Sequence, residues 1–202
     1  DVKYMTAKEE DILTSQNLIE QGRVISKLLE SVIADPKVKL NDMLIGDKNA
    51  LMVGTRILGY GKEYKIQLTD PDTSERVEHS VDLTTLKHKE LDTSFVENGN
   101  DFVIELPNSK RILRFKLLTH ADEIKIAEDL KGYEKIEQIT GVTSNLTTRL
   151  KYQIVSIDDN TDQKEIDKFV DNEFLALDHR AFREHYDKIS PDIELKFDYT
   201  SQ

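Results

Sequence analysis

The stretch "GDKNALMVGTRILGYGKEYKIQLTDPDTSERVEHSV", residues 46–81, changes its period halfway along. Up to Gly59 its apolar residues recur at helical spacing, with Leu51, Ile57 and Leu58 joined by Met52 or Val53. After Gly61 the period is two: Tyr64, Ile66 and Leu68 alternate with Lys65 and Gln67, and Val77, His79 and Val81 alternate again after the turn-rich Asp70-Pro71-Asp72-Thr73-Ser74. The stretch therefore predicts a helix followed by a β-hairpin. Asp47 is expected to cap the helix, which runs through about Leu58. Gly59 is expected just past its last turn, and Gly54 is expected to serve close packing. A phosphate loop is a poor fit. That motif needs glycine five residues before Gly61-Lys62, where Arg56 stands, and a hydroxyl where Glu63 stands. The other register, Gly54 with Gly59, is followed by Tyr60.

On the N-terminal side, Thr6-Ala7-Lys8-Glu9 reads as a capping box for a helix from Ala7 to Glu20, broken near Thr14 and stopped at Gly22. Val24, Ile25, Leu28, Leu29, Val32 and Ile33 predict a second helix that Asp35-Pro36 ends, and Asn41 a capped turn with Met43 and Leu44. On the C-terminal side a second hairpin pairs Phe102, Ile104 and Leu106 with Leu113, Phe115 and Leu117 across Pro107-Asn108-Ser109-Lys110. Residues 84–100 read as a turn, a short extended piece and the loop Glu97-Asn98-Gly99-Asn100.

Thr119 is expected to cap a helix that carries Ile124, Ala127, Leu130 and Ile136 on its apolar side and runs to Gly132 or slightly later. Val142, Leu146, Leu150 and Ile154 predict another. Ile166, Phe169, Val170 and Phe174 predict a third, and Phe182, Tyr186 and Ile189 a fourth, closed by Pro191. Ile193, Leu195, Phe197 and Tyr199 alternate as a half-buried strand, to pair with the hairpins or with a strand from elsewhere. Blocks of like elements predict an α+β fold. The regions are N-terminal helices (1–61), antiparallel hairpins (62–118), C-terminal helices (119–191) and a terminal strand (192–202), forming one compact unit of one or two subdomains.

The chain has 202 residues, 33% of them charged, and a net charge of −11 from 39 acidic and 28 basic residues. It has no basic excess of the kind nucleic-acid binders show, and no apolar run near the roughly 20 residues that span a bilayer. Neither partner is expected. With no cysteine, thiolate chemistry and disulfides are excluded. The opening at Asp1, with no signal-like apolar segment behind it, is expected of a trimmed piece of a longer protein.

Catalytic and metal signatures fail on inspection. Asp158-Asp159-Asn160-Thr161-Asp162 starts like a calcium loop, but Gln163 takes the glycine position and Phe169 the bidentate glutamate position. Asp162 with Glu165 reads instead as a helix start. The five histidines, His79, His88, His120, His179 and His185, are read as surface residues; the last two lie about 240° apart around a helix. Asn145-Leu146-Thr147 matches a glycosylation sequon without a secretory context. No catalytic, cofactor-binding or metal-ligating residue and no cofactor are expected; the chain reads as a non-enzymatic interaction protein.

The run Asp42-Met43-Leu44-Ile45-Gly46-Asp47-Lys48-Asn49-Ala50, followed by Arg56-Ile57-Leu58-Gly59-Tyr60-Gly61, resembles the baseplate hub assembly proteins of T-even-type contractile-tailed phages. The resemblance is closest over residues 4–90 and looser beyond. Many such proteins carry a C-P-x-C knuckle where this chain reads Asp70-Pro71-Asp72-Thr73, which implies a zinc-ribbon-like hairpin without its metal. A lone Asp70 carboxylate makes a poor zinc site. The resemblance implies a chaperone that binds hub and central spike proteins during tail assembly in the host cytoplasm, with oligomerisation open. The alternative it implies is a structural hub subunit retained in the virion tail, its terminal strand added to a neighbour's sheet edge.

Overall fold

The computed structural model describes residues 1–91 and 99–197, with the side chains of 134–137 outside the description. The fold is α+β, with short antiparallel sheets among helices. The chain divides into two compact units, one of residues 1–89 with 191–202 and one of residues 90–190. The two hairpins of region 62–118 fall in different units.

In the first unit, α1 (Ala7–Thr14) and α2 (Gln16–Glu20) are separated by Ser15, and Gly22, at φ 65°, turns the chain into α3 (Val24–Val32). The Thr6 amide and hydroxyl both donate to the Glu9 carboxylate, at 2.8 and 2.7 Å. Glu9 reaches back as expected, and both halves of the capping box are present. A 3-10 turn at Leu40–Asp42 leads to α4 (Ile45–Tyr60). This helix starts two residues before Asp47, so Asp47 sits in the first turn and Leu44 holds the cap position. At the other end the helix absorbs Gly59. The positive φ falls on Gly61, at 82°, whose amide donates to the Ile57 carbonyl.

The hairpin β1 (Glu63–Thr69) and β2 (Arg76–Asp82) has the predicted faces, with Tyr64 opposite Val81, Ile66 opposite His79 and Leu68 opposite Val77. Its turn is closed by Asp70, whose Oδ1 accepts the amides of Asp72 and Thr73 at 2.8 and 3.0 Å. Beyond a second 3-10 turn, β3 (Lys87–His88) pairs with the two-residue final strand β7 (Ile193–Glu194). That strand is shorter than the predicted 193–199. Leu195–Phe197 leave the ladder, and the end of the predicted strand lies outside the described residues, as do Glu97 and Asn98.

The C-terminal segment is pinned against α4. A Cβ on Gly46 would lie 1.7 Å from the Pro191 carbonyl oxygen, and Asn49 donates to the Asp192 carboxylate at 3.1 Å. Gly46 is therefore a close-packed glycine. Around Gly54, where close packing was expected, a Cβ would meet nothing within 4 Å.

The second unit is built on a three-stranded sheet in the order β4 (Phe102–Glu105), β5 (Ile112–Phe115), β6 (Ile154–Ile157). The predicted hairpin forms, with Phe102 opposite Phe115 and Ile104 opposite Leu113, while Leu106 and Leu117 lie outside the two strands. Strand β6 was not foreseen: α6 (Asn145–Gln153) stops at Gln153, and Ile154 starts the strand instead of continuing the helix. Val142 and Leu146, read as the start of that helix's apolar face, are exposed, while Leu150 and Ile154 are buried.

Helix α5 (His120–Thr140) is boxed at its start by Thr119 and Asp122, and Gly141 follows it at φ 69°. Its buried side is Ile126, one turn beyond Asp122. Ile124 and Ala127 face solvent, contrary to the expected stripe. Helix α7 (Gln163–Lys168), capped by Asp162, runs into a π turn at Phe169–Glu173, and α8 (Ala176–Ile189) follows. The core is aromatic: Phe115 lies 5.6 Å from Phe102 and 5.0 Å from Phe182 between ring centroids.

Candidate interaction groove

Arg56 organises the junction between α4 and β1. Its guanidinium donates to the carbonyls of Gly61 and Glu63 at 3.1 and 3.4 Å, tying the helix to the turn that leads into β1. It also lies 5.0 Å from the Tyr60 ring centroid and 5.6 Å from that of Tyr64, within cation–π range of both. The Tyr60 hydroxyl donates to Glu10 at 2.7 Å, which raises the Tyr60 phenol above its ordinary pKa. The G-Y-G turn thus holds two tyrosines in fixed positions.

Those tyrosines form one wall of an apolar groove of about 520 Å³ in the first unit. The buried Leu28 and Leu29 of α3 and Val81 of β2 make its floor. Met52 and Val53 of α4 and Ile25 of α3 line it further, and Leu195 and Phe197 complete it from the C-terminal segment. Large apolar side chains here are left open: Tyr60 is 49% exposed and Leu195 62%. The polar lining is slight, since the Thr55 hydroxyl is used by the Leu51 carbonyl and Arg56 is engaged as above. Exposed apolar surface gathered in one concave site marks a binding surface more often than scattered leucines do.

A polar recess of about 510 Å³ adjoins the groove, sharing Val81 and Phe197 with it. It is lined by His79, Ser80, Asp82, Thr85, Lys87, Glu194 and Lys196. The His79 ring stacks on Phe197 with centroids 5.4 Å apart. Asp82 is committed, taking Lys62 at 2.7 Å and the Thr84 amide at 2.9 Å; these partners, Lys62 first, hold its pKa at about 2.

The motifs singled out in the sequence do not converge on a reaction centre. Arg56, Gly61 and Glu63 build the passage from α4 to β1. Asp158 binds the Ile112 amide and the Arg111 guanidinium, and Asp162 caps α7 through the Lys164 amide at 3.0 Å. Asp70 is buried with its carboxylate turned into its own turn. The histidines are not simply surface residues. His120 is buried, His179 lies 5.7 Å from Phe174 and His185 5.8 Å from Phe115, so these rings serve as packing. Burial, with a smaller push from Arg183, lowers the His179 pKa. Among the described residues no three His, Asp or Glu side chains gather as a metal-ligand set, and no helix is long and apolar enough to cross a membrane.

The groove itself was missed because its lining comes from five segments far apart in sequence. One signal was present: α4 carries Leu51, Met52, Val53, Ile57 and Leu58, more apolar residues than one buried face can take.

No curated protein and no solved structure matches the chain. A family model described as T4 bacteriophage base plate protein matches residues 1–201. The match runs through both units and takes in every segment that lines the groove, and on it the chain belongs to the family of T4 bacteriophage base plate proteins.

Proposed function

We propose that this baseplate protein is a hub assembly factor: a non-catalytic, cofactor-free chaperone that binds hub and central spike proteins in the host cytoplasm and leaves before the tail is complete. The observation that carries the reading is the open apolar groove, because side chains such as Tyr60, Tyr64 and Leu195 keep their exposure without a partner. A net charge of −11 keeps such a surface soluble while it waits. The rigid supports of the groove, Arg56 above all, pre-organise it and lower the ordering cost of binding.

The test compares mature particles with affinity-isolated assembly intermediates by quantitative mass spectrometry. Presence in intermediates and absence from particles is the expected result. Stoichiometric retention in particles would replace the chaperone by a structural hub subunit. In parallel, Met52→Asp places a charge on a groove residue that is 39% exposed, so folding is expected to persist while hub-protein binding falls by about tenfold or more. Undiminished binding by a folded variant would remove the groove from the mechanism.

A further inference from the structure

We infer that the outer edge of β1 pairs with the same edge of a second copy of this chain, joining the two hairpins into one antiparallel sheet about a two-fold axis.

The edge is open and bounded. The Leu83 amide donates to the Lys62 carbonyl at 2.8 Å and the Asp70 amide to the Glu75 carbonyl at 2.9 Å, so these bonds bracket the β1–β2 ladder. Alternation between them turns the main-chain groups of Tyr64, Ile66 and Leu68 toward β2 and those of Lys65, Gln67 and Thr69 away from it. Among the described residues those three amides and three carbonyls have no hydrogen-bond partner. Before them the Glu63 carbonyl is taken by Arg56, and after them Pro71 has no N–H to offer. The sheet holds only β1 and β2, their register is unbroken, and Lys65, Gln67 and Thr69 are exposed. Edges of this kind are commonly blunted by a proline, a bulge or a charge. The one charge here is Lys65, which Glu78 neutralises at 2.9 Å.

Three outward residues centred on Gln67 make the edge self-complementary. An antiparallel copy turned about Gln67 sets Gln67 opposite Gln67 of the second copy and Lys65 opposite its Thr69, and every open group on both edges finds a partner. On the other face Ile66 meets Leu68 of the second copy, and both half-buried side chains gain cover. No like charges stand directly opposite. The outer edge of β2 offers a similar run in Arg76, Glu78 and Ser80, but the same pairing there sets Glu78 against Glu78, which is destabilising. Charge thus selects β1. A pairing this short falls at the low end of interface size, so the dimer is weak. The −11 carried by each copy opposes it at long range, and salt screens that repulsion. Pairing also brings the groove-lining Tyr64 and Ile66 of both copies onto one face of the joined sheet.

The chain has no cysteine, so one introduced thiol reports the register. In Gln67→Cys the two thiols occupy one hydrogen-bonded pair, with Cα atoms about 5.5 Å apart and within disulfide reach. The full chain carrying Gln67→Cys is expected to form a disulfide dimer under mild oxidation about tenfold faster than Lys65→Cys or Ser80→Cys. Lys65→Cys mixed with Thr69→Cys is expected to give the mixed dimer. Sedimentation velocity of the parent over about 1–300 μM is expected to show a monomer–dimer equilibrium that tightens as salt rises. Gln67→Glu sets like charges opposite each other, and Gln67→Pro removes an outward amide while sparing the bonds to β2; each is expected to weaken the dimer about tenfold or more. Circular dichroism confirms that each variant is folded.

Equal crosslinking at 65, 67 and 80, a parent that stays monomeric over that range, or a dimer undiminished in both folded Gln67 variants would overturn the pairing and leave the groove reading standing. A monomeric parent whose Gln67→Pro variant loses hub-protein binding would overturn it too, and would give the edge to a partner's strand.

Discussion

Two glycines on α4 show how little residue type says without its surroundings. Gly46 and Gly54 lie on the same helix, although the sequence placed Gly46 before the expected cap and Gly54 inside. At Gly46 a methyl group would run into the Pro191 backbone, which cannot swing aside as a side chain can. At Gly54 the space is open and the backbone helical, so alanine only removes conformational freedom from the unfolded chain. Gly54→Ala is expected to stabilise the protein by up to about 1 kcal/mol. Gly46→Ala is expected to destabilise it by about 1–3 kcal/mol, the overpacking outweighing the gain in helix propensity. Urea titrations of the two variants beside the parent check the pair, and a stabilised Gly46→Ala would show that the C-terminal segment is not seated on α4.

At the scale of elements, legibility followed the period. Both hairpins were readable because strict alternation met strong turn signals, and both form as antiparallel pairs. Strand β6 was not, since Leu146, Leu150 and Ile154 step by four and only the pairing of Ile154–Ile157 with β5 ends the helix. The final strand was over-read: alternation continues to Tyr199, but β3 offers only Lys87–His88 to pair with. The hydrogen bonds that dock one element on another were also invisible. Asp178, in the first turn of α8, is fully buried and accepts the amides of Asn108 and Ser109 at 2.7 and 3.0 Å, so it ties the β4–β5 turn to the helix start. No local pattern links residues so far apart in sequence. Asp178→Ala leaves both amides without their acceptor and is expected to cost about 1.5–3 kcal/mol. Amide exchange should quicken first in the 106–111 turn; unchanged exchange there would show that Asp178 does not hold it.

For the molecule as a whole, the buried carboxylates set how stability responds to acid. Burial pushes the Asp122 carboxyl upward, but the Lys116 ammonium at 2.8 and 2.9 Å and the Thr119 amide outweigh it and hold the pKa below the ordinary aspartate value. Burial likewise pushes Asp178 up, and the Asn108 and Ser109 amides bring it below. For both groups the folded-state pKa is lower than the unfolded one. Their contribution is therefore complete above the unfolded value and is lost as pH falls through the folded one. Asp47, in the first unit, runs the other way: burial alone raises its pKa, so its ionisation opposes folding and protonation relieves it. The expected result is an unfolding midpoint that is flat from pH 7 to about 5 and drops steeply below about 4, with exchange protection lost earlier in residues 90–190. Asp122→Asn combined with Asp178→Asn should be less stable than the parent at pH 7 and should flatten the acid limb, because the protons the parent takes up on unfolding are no longer bound there. A double variant whose acid limb is as steep as the parent's would place the acid-sensitive groups elsewhere in the molecule.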